Sequence, residues 1–297
     1  MKPQNIHHRP VPPESQPKDG ESTGLGAILL LGWLLFLITA SAKAAAPVDI
    51  PVPDHFDFET LLGEYRGGFM ICDLAQQRSL TFNEAYCRQR FAPCSTFKIL
   101  NTLIGLETGV LRGADHFMAW DGKTRSIEAW NRDHILATAM KYSVVWYYQE
   151  VARAIGRERL TAYVNRVAYG NQDLSGPIDR FWLGDSLTIS IEEQVAFLKK
   201  FYGDKLPFSP KNLALTRLLL VQEGFEGVTF SGKTGSAWQD GAYTMGWFVG
   251  HLRAPRGEYV FALNLMGGTK PNGFQAKSKV VEILTALELL PPSAGTK

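Results

Sequence analysis

Cys94-Ser95-Thr96-Phe97-Lys98-Ile99-Leu100-Asn101-Thr102-Leu103-Ile104-Gly105-Leu106-Glu107-Thr108-Gly109 is the stretch around which the rest of this chain is organised. Phe97, Ile99, Leu100, Leu103, Ile104 and Leu106 recur at helical spacing. Gly109 supplies a stop signal. Ser95 therefore stands near the N-terminus of a helix, with Lys98 three residues on and on the same face. A hydroxyl is a weak nucleophile and needs a base within hydrogen-bond reach. A lysine serves as that base if burial disfavours its charged form. The helix N-terminus adds free N–H groups and partial positive charge near a developing oxyanion. Taken alone, Ser95 is equally a helix-capping serine. S-x-x-K arises about once by chance in a chain of this length. Ser15 and Lys18 also satisfy it, in a polar stretch with no helical pattern behind it.

Upstream of this helix, Gly67 to Leu74 (GGFMICDL) reads as a buried strand, and Leu80 to Phe82 begins its hairpin partner. Downstream, residues of about 114–205 carry helical patterns, among them Val144 to Ile155 and Ile191 to Phe201. Between those two lies Tyr169 to Arg180, rich in Gly, Asn, Asp and Pro, which reads as a loop. The last third turns to strands over Val228 to Thr234, Tyr243 to Leu252 and Glu258 to Leu265, closed by a helix over Gln275 to Leu289. This order predicts an α/β (α+β) fold, an antiparallel sheet flanked by helices with a helical lobe inserted over about 114–205. The nucleophile helix falls at the junction of the two, where clefts form.

Further motifs join the first. Lys233-Thr234-Gly235 closes an apolar strand, where a cation and a hydroxyl can grip a carboxylate and the glycine admits close approach to the backbone. Its bland alternative is a polar strand end entering a turn. Ser143-Val144-Val145 follows Tyr142 at the start of a helical run, and by itself is a helix cap. Tyr169-Gly170-Asn171 by itself is a turn, and Trp182-Leu183 by itself is core.

Order and combination decide between these readings. S-x-x-K, a second serine motif and K-T-G, in that sequence, are the signature of the penicillin-recognising enzymes. With Tyr169-Gly170-Asn171, Trp182-Leu183 and the phrase Ile104 to Gly109 (IGLETG), the chain resembles the class D, oxacillinase-type serine β-lactamases from about residue 66 to 288. The resemblance implies a β-lactamase/transpeptidase-like fold and a hydrolase acting on small-molecule β-lactams. It implies Ser95 as nucleophile and Lys98 as general base after carboxylation by CO2, with no other cofactor and no metal. It further implies Trp182 as the hydrogen-bond donor to that carbamate, and Ser143 as the proton relay to the lactam nitrogen. Val145 and Leu183 would cover the lysine, and Lys233 and Thr234, beside Gly235, would hold the substrate carboxylate. The backbone N–H groups of Ser95 and Ser236 would form the oxyanion hole. Two departures bear on substrate preference. Ser236 stands where the family often has an aromatic residue, and no arginine lies between Gly257 and the C-terminus, leaving Lys270 or Lys277 to take its part. The rival activities are a β-lactam sensor domain and a penicillin-binding transpeptidase or carboxypeptidase; a non-catalytic wall-binding module has no use for the paired serines and lysines.

Composition agrees with a globular enzyme. The 297 residues are 45% hydrophobic and 20% charged, and the formal net charge of +2 gives no argument for a nucleic-acid partner. Residues 1–46 differ from the rest. A polar, Pro-rich start leads into an uncharged apolar run, Gly24 to Ala40, and then Ala40-Ser41-Ala42. This pattern describes a secretory signal, with a retained single-helix anchor as the alternative. Residues 47–297 are then the catalytic domain, facing the periplasm or cell envelope, with no membrane partner unless the anchor is kept. Such a compartment permits one disulfide among Cys72, Cys87 and Cys94. Cys94, beside the nucleophile, reads as a small buried residue rather than a catalytic thiol.

Overall fold

The computed structural model of the chain describes residues 50–222 and 225–291, which belong to one compact unit, Ala46–Lys297. The signal or anchor segment expected over 1–46 lies outside the described residues. Among the described residues no helix is long and apolar enough to cross a membrane.

The chain opens with a short helix α1 (Phe58–Leu62), started by the Asp57 carboxylate accepting the Glu59 and Thr60 N–H groups. The hairpin β1 (Arg66–Asp73) and β2 (Ser79–Phe82) follows, then a single turn α2 (Glu84–Cys87). One 3₁₀ turn, Cys94–Phe97, runs directly into α3 (Lys98–Glu107). The middle of the chain holds a two-stranded ribbon, β3 (Phe117–Met118) and β4 (His134–Ile135), and helices α4 (Leu136–Lys141), α5 (Val145–Ile155), α6 (Arg157–Val167), α7 (Ile191–Tyr202) and α8 (Pro210–Leu218). Strands β5 (Thr229–Gln239), β6 (Ala242–Ala254) and β7 (Gly257–Met266) and helix α9 (Gly273–Ala286) complete it.

The main sheet has five antiparallel strands in the order β2-β1-β7-β6-β5. Side chains alternate across it, as a pleat requires. Trp247, Val249, Val260 and Ala262 join a core shared with α3, α5 and α7, whereas Phe248, Phe261, Leu263 and Leu265 join a second core with α1 and α9. With both faces covered, β6 and β7 read as nearly continuous apolar runs. The antiparallel sheet flanked by helices is therefore present.

One strand differs from its expectation. β5 does not end at Thr234 but continues to Gln239, because β6 pairs with it as far as Ala242. Lys233-Thr234-Gly235 thus sits in mid-strand, on the edge strand of the sheet and paired with β6, rather than entering a turn. Gly232 has its own reason to be glycine, since a Cβ there would lie 2.4 Å from the Phe248 ring.

Candidate active site

The nucleophile turn is held by its neighbours rather than by helix propensity. Cys94 adopts a left-handed φ of +48°, a conformation that disfavours a residue with a Cβ by about 1–2 kcal/mol. One long-range contact and one local contact hold it there. Trp247 Nε1 donates to the Ala92 carbonyl at 3.0 Å, and Thr96 Oγ1 donates to the Pro93 carbonyl at 2.7 Å. Phe91 and Ile189 exchange backbone hydrogen bonds of 3.0 and 2.8 Å just upstream. Gly235 faces this turn: a Cβ there would stand 3.1 Å from Pro93 O and 3.2 Å from Thr96 Cγ2. The glycine of the K-T-G motif therefore lets strand and turn approach each other. Ser95 sits in the 3₁₀ turn, one residue-triplet before the α-helix proper, with its hydroxyl half-buried at the junction.

Two lysines converge there. Lys98, at the first position of α3, is fully buried, with Nζ 2.7 Å from Ser95 Oγ. Burial, and secondarily the charge of Lys233, holds its pKa well below the ordinary lysine value. Lys233 is 4% exposed and its Nζ donates to Ser143 Oγ at 2.9 Å and to the Thr234 carbonyl at 3.0 Å. Burial pulls its pKa down to about 7. Among the described residues no carboxylate pairs with either amine. Ser143 is not a helix cap. It occupies a left-handed turn, φ +55°, between α4 and α5, while Val144 takes the cap position with no side-chain bond. Two serine–lysine pairs, Ser95–Lys98 and Ser143–Lys233, therefore meet in one place.

An aromatic wall backs this site. Trp182 is fully buried and stacks on Phe97 with ring centroids 5.6 Å apart, and Phe181 meets Phe97 edge-on at 5.2 Å. The indole Nε1 of Trp182 is buried without a hydrogen-bond partner, a state that is unfavourable unless something accepts from it. Trp182 and Leu183 lie in an irregular turn, Phe181–Asp185, that Gly184 interrupts with φ +132°. Tyr169-Gly170-Asn171 closes the base of that loop. A Cβ on Gly170 would fall 2.1 Å from Thr188 O, and Asn171 accepts from Thr188 N at 3.0 Å while donating to Ser186 O at 2.9 Å. Val145 and Leu183 are half-buried, against fully buried Val144 and Trp182.

The remaining expected residues divide. Ser236 Oγ accepts the Gly273 N–H at 2.9 Å, tying the start of α9 to β5. The hydroxyl thus has a packing role at a position that in the family often carries an aromatic residue. Lys277, one of the two candidates for the missing arginine's part, donates to Gln222 Oε1 at 2.7 Å, and Gln222 donates to the Gly232 carbonyl at 3.2 Å. Lys270 lies in a left-handed turn before α9. The permitted disulfide is not formed, since Cys72, Cys87 and Cys94 are all free and buried. Burial pushes the Cys94 thiol up to about 12, so it is no thiolate nucleophile at neutral pH. One residue escaped the sequence reading altogether. Gln194 is 1% exposed and donates from Nε2 to Thr96 Oγ1 at 2.9 Å. Its signal was a polar residue on the apolar face of α7, beside Ile191, Val195 and Leu198.

Comparison with known proteins agrees with this geometry. The chain matches the penicillin binding protein transpeptidase domain family over residues 65–286. It is 41% identical over 224 residues to "Probable beta-lactamase YbxI" of Bacillus subtilis (strain 168), spanning 75% of this chain and 82% of that one. A crystal structure of a class D β-lactamase from Bacillus subtilis superposes with a TM-score of 0.75 at 38% identity, covering 80% of this chain and 98% of that one. The C-terminal domain of the Bacillus licheniformis BlaR penicillin-receptor superposes with a TM-score of 0.76 at 32% identity, covering 80% and 96%. The family match over residues 65–286, with identities of 41% and 38% covering 82% and 98% of these class D relatives, makes the chain a member of the class D β-lactamase family and a β-lactam hydrolase.

Proposed function

We propose that the chain opens the β-lactam ring of penicillins and related antibiotics through an acyl-enzyme on Ser95, with Lys98 carboxylated by CO2 as general base, and so confers resistance. The observation that carries this reading is the buried Lys98 amine 2.7 Å from Ser95 Oγ. An amine kept neutral by burial can add to CO2, whereas an ammonium cannot. The unpartnered Trp182 N–H, a group that only donates, suits an added anion. Once carboxylated, the lysine side chain supplies an anionic base for both half-reactions.

The chain's own groups divide the remaining work. Ser95 Oγ attacks the lactam carbonyl carbon, and the N–H groups of Ser95 and Ser236 stabilise the oxyanion that forms. The carboxylated Lys98 takes the Ser95 hydroxyl proton as the new C–O bond forms, and Ser143 relays a proton to the lactam nitrogen as the C–N bond breaks. Its Oγ already accepts from the Lys233 amine at 2.9 Å. Lys233 and Thr234 hold the substrate carboxylate, whose negative charge favours the protonated form of a lysine otherwise poised at about 7. Val145 and Leu183 keep bulk water from Lys98 while admitting the water that completes hydrolysis. The apolar run Gly24 to Ala40 supports export to the periplasm or cell envelope.

The likeness to the BlaR penicillin-receptor domain favours a second reading, a sensor that acylates without turning over. Steady-state hydrolysis at mildly acidic pH in degassed buffer, with and without bicarbonate at constant ionic strength, tests both points: a sensor shows no sustained turnover under either condition. Carboxylation predicts activity that falls with pH and recovers with bicarbonate, together with a carboxylated-lysine signal by 13C NMR. Activity indifferent to bicarbonate, with no such signal, would overturn it.

A further inference from the structure

We infer that Gln194 of α7 is a positioning residue for the nucleophile: through Thr96 it holds the Cys94–Phe97 turn that aims the Ser95 hydroxyl and backbone N–H at the substrate. The inference rests on Ser95 being the nucleophile and is independent of Lys98 carboxylation.

The start of α7 and the residue just before its cap grip the segment around Ser95 at three levels. Arg90 donates to both Glu193 carboxylate oxygens, at 3.0 and 3.1 Å from its Nε. Phe91 and Ile189 exchange backbone hydrogen bonds. Deepest, Gln194 Nε2 donates to Thr96 Oγ1 at 2.9 Å with both residues 1% exposed. The first contact is exposed and contributes little. The last is buried, where a lost partner is felt in full.

The direction of the hydrogen bonds makes this a relay. Thr96 Oγ1 has one hydrogen and gives it to the Pro93 carbonyl at 2.7 Å. What reaches its lone pairs must then be a donor, and the Gln194 amide is one. The chain Gln194→Thr96→Pro93 O thus closes across Cys94, the residue held in the left-handed conformation. Gln194 is itself fixed, its N–H bonded to Ser190 O at 2.9 Å inside the Ser190–Glu193 capping box. Without it, the Thr96 hydroxyl loses the donor that fixes its orientation toward Pro93 O, and Cys94 loses part of what offsets its unfavourable φ. Ser95, next in the chain, then loses the aim of its N–H. Oxyanion donors act only when pre-aligned.

Stopped-flow acylation by a chromogenic cephalosporin in bicarbonate-saturated buffer tests this, with Ser95→Ala as the blank. Gln194→Leu and Thr96→Val should each slow acylation by about ten- to hundredfold, short of the roughly 10²–10³-fold loss on deleting an oxyanion donor. Substrate affinity before acylation should not change. Thr96→Ser, which keeps the hydroxyl, should restore a near wild-type rate. The double variant should be no slower than the slower single, since the two groups act as one unit. Unchanged acylation in the single variants, additive losses in the double, or a loss that Thr96→Ser does not rescue would overturn the proposal. Should Gln194→Leu fail to fold, Thr96→Val against Thr96→Ser decides the matter alone. Labelling of Ser95→Ala at the wild-type rate would instead sink the nucleophile assignment, and a missing 13C carbamate signal would sink only the carboxylation.

Discussion

Replacing Lys233 with methionine should stabilise the fold at neutral pH while removing activity. Lys233 is 4% exposed and its pKa is pulled down to about 7 by burial. A lysine in the unfolded chain titrates near 10.4, so holding the folded group at about 7 costs about 4 kcal/mol at pH 7. Methionine is unbranched, one atom shorter, and carries no charge. Against that gain stand the hydrogen bonds to Ser143 Oγ and Thr234 O, about 1 kcal/mol each. The net gain is about 2 kcal/mol, or roughly 4–8 °C in Tm for a domain of this size. The pH dependence is the sharper test. The folded pKa is depressed, so between about pH 7 and 10.4 the unfolded state binds the extra proton and wild-type stability rises with pH, by up to about 1.4 kcal/mol per unit. The variant lacks that slope. Its advantage should shrink above pH 7 and vanish near pH 9, about where the remaining protonation cost equals the lost hydrogen bonds. Urea unfolding of both proteins from pH 7 to 9.5 reads this directly. A variant less stable than wild type at pH 7, or a difference that does not change with pH, would refute the reasoning.

Ser95→Ala should fold normally and give no penicilloyl adduct by intact-protein mass spectrometry; a normal adduct would exclude Ser95. Trp182→Phe keeps the stack on Phe97 but removes the unpartnered N–H, so deacylation should slow more than acylation and acyl-enzyme should accumulate. Single-turnover kinetics with both steps unchanged would take Trp182 out of the mechanism. Gly235→Ala places a Cβ 3.1 Å from Pro93 O, and should lower both the acylation rate and the stability, the latter by about 1–3 kcal/mol. Wild-type values in both measurements would mean that the turn yields at little expense.

What the sequence made legible follows from the range of the contacts involved. Strands β1, β6 and β7 and helices α5, α7 and α9 announce themselves through local patterns, because each buries a face or both faces. The helices α1 and α2, of 5 and 4 residues, are too short to show a period. α8 went unread because its apolar residues form no stripe, although Ser209-Pro210 marks its start. Within the site, the Ser95–Lys98 pair is a spacing of three and could be read directly. The contact of Ser143 with Lys233 spans 90 residues, so the local pattern around Ser143 resembled an ordinary helix cap. The roles of Gly235 and Ser236 were also hidden: each is set by what packs against β5, the nucleophile turn in one case and the start of α9 in the other. Free cysteines were invisible for the same reason, since pairing depends on spatial neighbours.

Product stoichiometry tests the central claim most directly. Purified protein, mixed with a large excess of chromogenic cephalosporin in bicarbonate buffer near neutral pH, should release product linearly to many equivalents per Ser95. A burst of one equivalent followed by a plateau, with the acyl group still on the protein, would show a receptor-like acylation without hydrolysis and contradict the account.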